Sequence, residues 1–302
     1  MRFFSIFLTL TLLAQAPLPA GAREDTALAA QLRPAIAAHK GTVALFAQDL
    51  KTGRTLAINA DMPMPTASVI KLAVLFDAVK QVQEGSAHFE DRLTMTSADP
   101  VEGSGVLQFF DRPLTITLKD ALTMMVIVSD NTGTNLVIDH LGLARIDQRI
   151  QWLGLKNTWL YKKVFKPAIP PVPADQPTYG LGKTTAREMA EIMRRFAVCD
   201  LNAPGQSAPP TPAEQKLCDV AVGMLKNQTD RQSIPRYLTV DTANKTGSLD
   251  EVRNDVAIAY AKNGPIVISA FTANNQDHSW TPDNSAQLLM ARLAKTIVDR
   301  WQ

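Results

Sequence analysis

The spacing of hydrophobic and polar residues predicts strands towards both ends of the chain and helices between them. Apolar residues recur at helical spacing over residues 26–39, which indicates a first amphipathic helix. Two β-branched and apolar runs follow at residues 42–49 and 55–59, and the turn-forming residues between them favour a hairpin. A second helix is predicted from Ser68 to about Gln83, with Gly85 as its stop signal.

The middle of the chain has mostly helical spacing. Thr185 and Glu188 form a capping-box pattern, so one of these helices has a well-marked start. Two proline-rich stretches, residues 162–183 and 203–212, cannot sustain a helix or a central strand. Because long loops are uncommon inside compact domains, we expect the first stretch to carry function or to cover a site. The predicted helices span residues 118–128, 133–141, 143–153, 185–197 and 213–226.

The last part of the chain returns to strand patterns. Runs at residues 239–248, 255–261 and 266–272 precede a terminal helix over residues 284–301. This order predicts an α+β protein, with a five-stranded antiparallel sheet flanked by helices and an inserted all-helical subdomain. We expect the sheet part to comprise residues 23–65 and 212–302, and the helical part residues 66–211, of one domain.

The N-terminus has the pattern of a secretory signal. Met1 and Arg2 precede an apolar run over residues 3–14, and Ala20-Gly21-Ala22 forms a cleavage site of small residues. The run is too short to cross a bilayer, so the mature form is expected to have no membrane span. We expect cleavage after Ala22 and a periplasmic or secreted protein; an uncleaved N-terminal anchor is the alternative.

Charge and cysteine content narrow the choice of partners. The formal net charge is only +2 over 302 residues, so we predict no nucleic-acid partner, and we expect a monomer. Cys199 and Cys218 are the only cysteines, and in an oxidising compartment they favour a disulfide, with two unpaired thiols as the alternative. No histidine lies near them at metal-ligand spacing or in a catalytic motif, so we predict no metal, no cofactor and no Ser-His-Asp triad.

Three short motifs occur in a fixed order: Ser68-Val69-Ile70-Lys71, Ser129-Asp130-Asn131 and Lys245-Thr246-Gly247. An S-x-x-K pattern arises about once by chance in a chain of this length, whereas each of the other two arises in fewer than about one chain in ten. All three together, the first opening a helix and the last ending a strand, indicate a serine acyl-transfer site.

Ser68 and Lys71 supply a nucleophile and a base in the first motif. Residues three apart share one face of a helix, so the Lys71 amine can take the Ser68 proton if neighbouring positive charge lowers its pKa. Free N–H groups at the helix start favour the negative charge that develops on the attacked carbonyl. Taken alone, Ser68 also fits a helix N-cap, and Lys71 a solvated side chain.

Ser129, Asp130 and Asn131 follow an apolar helix, so the second motif is predicted on a turn. Ser129 can pass a proton to a leaving nitrogen, and Asn131 can hydrogen-bond a substrate amide. Asp130 is expected to brace the turn. Simple turn chemistry is the alternative interpretation.

The third motif lies on a predicted strand, where alternation points Lys245 and Gly247 one way and Thr246 the other. Lys245 supplies a cation for a carboxylate, Gly247 permits close approach of substrate, and Thr246 is a further binding candidate. The Ser248 N–H can complete an oxyanion hole with the Ser68 N–H. Arg253, predicted at the following turn, can reinforce the cation, although a surface role fits it equally well.

The chain resembles the class A β-lactamase and penicillin-binding-protein superfamily, and the likeness extends beyond the three motifs over most of the mature chain. It implies a two-subdomain transpeptidase-like fold, a cleft between the subdomains, no cofactor and an acyl-enzyme on Ser68. The resembling stretches are residues 65–71, 103–108, 125–136, 183–190 and 245–258.

One departure from that family concerns deacylation. Typical class A β-lactamases carry a Glu in the loop before the Thr-Thr-headed helix, and it activates the water that hydrolyses the acyl-enzyme. This chain has no Glu between Asp147 and Glu188, and we interpret Asp175 as a turn residue rather than a replacement base. Three loop lysines can lower the pKa of Lys71, bind an acidic substrate or simply face solvent: Lys162, Lys163 and Lys166.

The resemblance and the motifs predict a secreted serine hydrolase that opens β-lactams through Ser68, with slow release of the acyl group. A D-alanyl-D-alanine peptidase, or a related amide or ester hydrolase, is the second hypothesis. The third is a binding module that is acylated by penicillin, or binds peptidoglycan, without turnover. The expected partner is a small β-lactam or a peptidoglycan-like peptide.

Overall fold

The computed structural model describes residues 23–206 and 208–302. Three short 3₁₀ turns lie among its helices and strands, at Ala67–Ile70, Leu107–Phe109 and Ile234–Tyr237. In chain order the elements are α1 (Thr26–Ala37), β1 (Thr42–Asp49), β2 (Thr55–Ile58), β3 (Met64–Pro65), α2 (Lys71–Gln83), β4 (Arg92–Met95), β5 (Leu114–Thr117), α3 (Leu118–Ile127), α4 (Asn131–Leu141), α5 (Leu143–Trp152), β6 (Trp159–Leu160), α6 (Gln176–Tyr179), β7 (Gly182–Thr184), α7 (Ala186–Val198), α8 (Pro212–Lys226), β8 (Thr242–Leu249), β9 (Val252–Ala261), β10 (Gly264–Ala273) and α9 (Ser285–Trp301).

The main sheet has five antiparallel strands in the order β2-β1-β10-β9-β8. This confirms the predicted α+β fold and its five-stranded sheet. The hairpin between β1 and β2 is closed by the Asp49 carboxylate, which accepts the backbone N–H groups of Lys51 and Thr52 at 2.9 and 3.1 Å. Strand β8 lies at one edge, and the 3₁₀ turn Ala67–Ile70 packs beside it.

Each face of the sheet buries a separate apolar core. Helices α1 and α9 cover one face, where Leu32 and Leu293 pack against strand residues such as Leu45 and Ile268. The helical block from α2 to α8 covers the other face. Helix α2 is buried along nearly its whole length, so it forms the centre of that block and fixes the residues at its own N-terminus.

The structure differs from the predicted boundaries where polar residues are buried. Strand β9 begins at Val252, before the predicted residue 255, because the polar residues Arg253 and Asn254 are buried there with hydrogen bonds to surrounding backbone groups. The block predicted to be all-helical also contains short strands: β4 and β5 pair with each other, and β6 and β7 pair in a set completed by β3, which precedes the block.

Local capping largely follows the sequence. Thr185 caps α7 by accepting the N–H of Glu188 at 3.1 Å, as the pattern predicts. The Glu188 carboxylate does not return to the cap; it accepts the Asn157 N–H and the Thr158 hydroxyl and so ties the β6 region to α7. The capping box is therefore only half formed.

Cys199 and Cys218 form a disulfide that joins the end of α7 to α8, with their Cα atoms 5.6 Å apart. The predicted secretory signal, residues 1–22, lies outside the described residues. In the portion that the structure describes, no helix is both long enough and apolar enough to cross a membrane.

Candidate active site

Ser68 lies in the 3₁₀ turn Ala67–Ile70, directly before α2, so the α-helix starts three residues later than predicted. In a 3₁₀ turn residues three apart lie almost above one another, which still places Ser68 and Lys71 on one face. Ala67 has a φ of 44°, a left-handed conformation that non-glycine residues adopt rarely and that occurs often at functional sites.

A buried asparagine holds the chain that leads into this turn. The Asn254 amide donates to the carbonyl oxygens of Pro65 and Thr66, at 2.9 and 3.2 Å, and its own oxygen accepts the N–H of Thr272 at 3.1 Å. Asn254 therefore fastens the nucleophile turn to strands β9 and β10. No sequence motif predicts this role, since the partners of Asn254 are up to 189 residues away in the chain.

Lys71 is completely buried, and its amine donates to Ser129 and Asn131. The Nζ atom lies 2.7 Å from the Ser129 carbonyl oxygen, 3.2 Å from Ser129 Oγ and 2.9 Å from Asn131 Oδ1. Burial, followed by the positive charge of Lys245, holds the pKa of Lys71 well below its usual value. The positive charge that lowers the pKa of Lys71 is that of Lys245, not that of the loop lysines Lys162, Lys163 and Lys166. A neutral Lys71 amine is thereby favoured.

The turn of the second motif places Ser129 between two lysines. Ser129 has a φ of 55°, and its hydroxyl oxygen lies 3.1 Å from Lys245 Nζ as well as 3.2 Å from Lys71 Nζ. The Asp130 carboxylate accepts the backbone N–H groups of Val106, Leu107 and Gly133 at 2.6 to 2.8 Å. This confirms that Asp130 braces the turn.

Asn131 is the first residue of α4 and connects three parts of the site. Its oxygen accepts from Lys71, and its amide donates to the Glu102 carbonyl oxygen at 3.0 Å. The loop around Gly103 is packed tightly here, because a Cβ at Gly103 would lie 2.9 Å from Asn131 Nδ2. Asn131 is thus fixed beside both Lys71 and the cleft.

Lys245 is fully buried on β8 and donates to Ser129 Oγ and, at 2.7 Å, to the Thr246 carbonyl oxygen. Burial lowers the pKa of Lys245 to about 8, although Asp230 and Asp255 oppose the shift. The two lysines that meet at Ser129 therefore both have depressed pKa values, which reduces their repulsion in the interior.

The register of β8 and β9 determines where the backbone of the third motif points. The Tyr260 N–H donates to the Asp241 carbonyl oxygen at 2.9 Å. Asp241 and Tyr260 are therefore a hydrogen-bonded pair that continues the register of β8 and β9 by one residue. Because such pairs alternate in an antiparallel ladder, the N–H groups of Thr246 and Ser248 point away from β9, to the open edge of the sheet. The Ser248 N–H is therefore free of the ladder.

Gly247 packs directly against the nucleophile turn. A Cβ at this position would lie 2.8 Å from Ser68 N and 2.7 Å from Val69 N, closer than any real Cβ contact. Glycine is thus required for β8 to approach the backbone of Ser68 this closely.

Arg253 lies on β9 rather than at the turn where it was predicted. Its side chain is 2 % exposed, and its guanidinium donates to the carbonyl oxygens of Leu249, Val252 and Ser279, the last at 2.8 Å. Trp280 covers it at 4.4 Å from the ring centroid, a cation–π contact. The surface role considered for Arg253 is therefore wrong, since this guanidinium is held inside the site.

Two cavities meet at Ser68. The first, of about 320 Å³, is lined by Ser68, Ser129, Thr246, Ser248 and Arg253 among others. The second, of about 480 Å³, includes Ser68 and Ser248 again but has Asn131, Val164 and Phe165 in place of Ser129. The structure therefore brings the residues of all three motifs to one cleft, with Ser68 at the junction.

The proline-rich loop forms one wall of the second cavity. Asn135 clamps it by donating to the Val164 carbonyl oxygen at 3.0 Å and accepting the Val164 N–H at 2.8 Å. Lys163 is drawn away to Asp139 at 2.7 Å, and Lys162 lines the cavity. Sequence reasoning missed Asn135, whose backbone contact leaves no recognisable pattern.

Asp175 lies away from the nucleophile. Its carboxylate accepts from Lys183 at 2.5 Å and from the Tyr161 hydroxyl at 2.8 Å, and it lines neither cavity that contains Ser68. This agrees with a structural role in the loop. Within residues 23–206 and 208–302, no group of three or more metal-binding side chains is present.

Comparison with known proteins agrees with this geometry. Residues 27–301 match the model of the beta-lactamase enzyme family. The chain is 22% identical to the beta-lactamase regulatory protein BlaB of Streptomyces cacaoi, covering 89% of this chain and 96% of that protein. It is 25% identical to a beta-lactamase of Streptomyces fradiae, covering 97% and 92% respectively.

Solved structures share the fold. A beta-lactamase from Sphaerobacter thermophilus superposes with a TM-score of 0.76 at 26% identity, covering 91% of this chain and 96% of that one. PBP-A superposes with a TM-score of 0.78 at 23% identity, covering 94% and 99%. Because the family match spans nearly all the described residues and the fold agrees, the chain belongs to the beta-lactamase enzyme family of serine hydrolases.

Proposed function

We propose that the protein is a secreted serine hydrolase that opens the amide bond of β-lactams through an acyl-enzyme on Ser68 and releases the acyl group slowly. The observation that carries this proposal is the position of the Ser129 hydroxyl, held between Lys71 and Lys245 beside the cleft that contains Ser68. A nucleophile, a base and a proton donor are thus available within one cluster.

Acylation begins with the neutral Lys71 amine. It takes the proton of Ser68 while Ser68 Oγ forms a bond to the lactam carbonyl carbon, and the carbonyl oxygen becomes an oxyanion. Collapse of this intermediate breaks the carbon–nitrogen bond. Ser129 gives its proton to the departing nitrogen and recovers one from the Lys71 ammonium, so the cluster returns to its starting charge.

The backbone and the cationic groups stabilise the charges of the substrate. The N–H groups of Ser68 and Ser248 donate to the oxyanion, a contact typically responsible for about 10²- to 10³-fold in rate. Thr246 and Arg253 line the first cavity and bind a substrate carboxylate there, with the charge of the buried Lys245 behind them, and Asn131 binds an amide of the acyl group. Gly247 supports this arrangement, because it lets β8 lie against the Ser68 turn.

The proline-rich loop brings no carboxylate to the second cavity, where it contributes Lys162, Val164 and Phe165 among others; the one carboxylate that lines this cavity, Asp250, comes from the turn after β8. Without a base positioned on the loop to activate water, hydrolysis loses about 10²- to 10⁴-fold. The same observation favours the second candidate function, a D-alanyl-D-alanine peptidase relative that holds penicillin for long periods. A mutant of PBP-A is known as its acyl-enzyme complex with penicillin G.

Export from the cytoplasm is part of this proposal. The leader pattern of residues 1–22 supports it, and so does the disulfide between Cys199 and Cys218, because disulfides persist mainly in oxidising compartments. Processing after Ala22 would place the mature chain in the periplasm or outside the cell.

Intact-mass spectrometry during incubation with benzylpenicillin tests the proposal. We expect the wild type to gain the mass of the drug and to lose it slowly, while Ser68→Ala gains nothing. Rapid drug loss without an adduct would indicate a fast β-lactamase, and a permanent adduct a non-turnover module. The absence of any adduct and of any drug loss, at every time point, would refute the proposal.

A further inference from the structure

Large aromatic residues are exposed at the rim of the cleft. Phe165 is 59% exposed and Trp280 is 66% exposed, and both line the second cavity together with Ser68. Leu249, on the same cavity, is 47% exposed. Exposed apolar groups that cluster around a cavity mark a binding surface more often than scattered ones do. We therefore expect this rim to contact an apolar group of the ligand.

The backbone of Phe165 is held in a conformation that a phenylalanine would not adopt unaided. Its φ is 54°, in the left-handed region that costs a bulky residue free energy. The clamp by Asn135 on the preceding Val164 fixes the loop there. The ring is then directed across the cleft, since a Cβ at Gly103 would lie 3.1 Å from Phe165 Cε2.

Trp280 provides a second aromatic surface from the other side of the site. Its ring stacks on the guanidinium of Arg253 and lines both cavities. The apolar wall between the two aromatic residues is completed by Val164, Leu181 and Leu249.

The two cavities divide the parts of an acyl donor between them. Ser129, the proposed proton donor to the leaving nitrogen, lines only the first cavity, so the leaving group lies there. The acyl group that remains on Ser68 must therefore extend into the second cavity. We infer that Phe165 and Trp280 determine specificity for acyl donors with an aryl substituent on the acyl side, an inference that rests on the proposed function.

Rates of acylation by two β-lactams test this inference. Benzylpenicillin carries a phenylacetamido group, and 6-aminopenicillanic acid has the same rings and carboxylate with a free amine in its place. The contact of Asn131 with the amide adds to the ratio of the two rates in every variant, so the change of that ratio between variants reports the contact with the aromatic ring. For the wild type, we expect a second-order acylation rate constant about 10- to 100-fold higher for benzylpenicillin, the range expected for burying one aromatic ring. Phe165→Ala should lose most of this preference with little change for 6-aminopenicillanic acid, and Phe165→Tyr should retain it.

Matched variants separate the ring contact from other effects. Phe109→Ala removes a phenylalanine that is 78% exposed and lines neither cavity, so both rates should stay the same. Trp280→Ala uncovers Arg253 and slows both compounds, but the ratio of the two rates should also fall. A ratio unchanged in both Phe165→Ala and Trp280→Ala would overturn this inference alone. No acylation of the wild type by either compound would overturn the proposed function and the inference with it.

Discussion

Lys71 and Lys245 share one hydrogen-bond acceptor, because the Nζ atoms of both lie within 3.2 Å of the Ser129 hydroxyl oxygen. A hydroxyl has two lone pairs and one proton. With both lone pairs engaged by the lysines, the Ser129 proton is free to be donated elsewhere. This contact supports the proposed role of Ser129 as the proton donor to a leaving group.

The pH profile of acylation depends on the charge of Lys245. Acylation needs a neutral Lys71, so the rate falls as the pH drops below the pKa of Lys71. Removing a like charge raises that pKa, so Lys245→Met should move the acidic limb of the profile to higher pH. The second-order acylation rate constant, measured from about pH 5 to pH 9, shows at which pH acylation falls on the acidic side of the profile. Lys245→Arg keeps the charge and should leave it nearly in place; an identical limb in Lys245→Met contradicts the assignment of Lys71 as the base.

Gly247 controls the distance between β8 and the nucleophile turn. In Gly247→Ala the new methyl group meets the backbone nitrogens of Ser68 and Val69, which pushes the oxyanion donors apart. We expect acylation to slow by about 10²-fold or more. Gly223→Ala on α8 is the control, since nothing lies within 4 Å of that position, and it should stabilise the helix by about 1 kcal/mol. Equal acylation rates in the two variants would argue against an oxyanion hole at Ser68 and Ser248.

Val164 is the loop residue from which a carboxylate could reach the acyl-enzyme. It lines the cavity of Ser68, is 7% exposed, and its backbone is fixed by Asn135. Val164→Glu should shorten the lifetime of the penicillin adduct by about tenfold or more, because a general base typically contributes about 10²- to 10⁴-fold. Decay of the adduct in intact-mass spectra measures this. Val164→Gln has the same size without the base; if it accelerates decay equally, access of water rather than base catalysis limits release.

Asp255 makes stability depend on pH. Burial raises the pKa of Asp255 from 3.8 to about 7, although hydrogen bonds from Asn244 and from the Ile234 N–H favour its ionised form. The folded state therefore prefers the protonated acid. Its contribution is complete below about pH 4 and is lost as the pH rises to about 7, with a slope of at most about 1.4 kcal/mol per pH unit.

Asp255→Asn should therefore gain stability relative to the wild type as the pH rises through this window. The amide keeps only one of the two oxygens that accept from Asn244 and Ile234, so a constant loss of stability at both pH values is added to this pH-dependent gain. Urea unfolding at about pH 5 and pH 8 measures the difference. Asp111→Asn, at an exposed position, should show no such trend. A parallel shift at both pH values would mean that Asp255 is not protonated in the folded protein.

The disulfide should affect stability without affecting chemistry. Cys199 and Cys218 are 19 residues apart, a loop for which the chain-entropy model predicts about 3 kcal/mol. The double substitution Cys199→Ala with Cys218→Ala should lower the free energy of unfolding by this amount. Its acylation rate should match that of the wild type, because neither cysteine lines a cavity that contains Ser68. A loss of acylation in the folded variant would contradict this separation.

The fold and the central chemistry could be predicted from the sequence because both rest on local signals. The helical and strand spacings identified all five strands of the main sheet, and the motifs that begin at Ser68, Ser129 and Lys245 meet in one cleft. Short-range patterns of this kind survive in a single sequence, since each depends on residues that are close together in the chain.

The supporting residues could not be predicted, because their partners are distant. Asn254 reaches Pro65 across 189 residues, and Asn135 reaches Val164 across 29. Both act on backbone atoms, which impose no particular side chain on the partner position. Trp280 was missed for a similar reason, as its contact with Arg253 joins the end of the sheet to a loop after β10.

The position of β8 at the edge of the sheet has a consequence for what the site recognises. An outer strand with unpaired N–H and C=O groups is a template on which an extended peptide can add as a further strand. Such pairing forms hydrogen bonds with the main chain of a ligand and depends little on its side chains. Under the proposed function, a strained ring that fixes an amide in the same extended shape would be accepted in place of a peptide. Substitutions that bend or cover the edge of β8 should then weaken acylation by a β-lactam and by a peptide substrate in parallel.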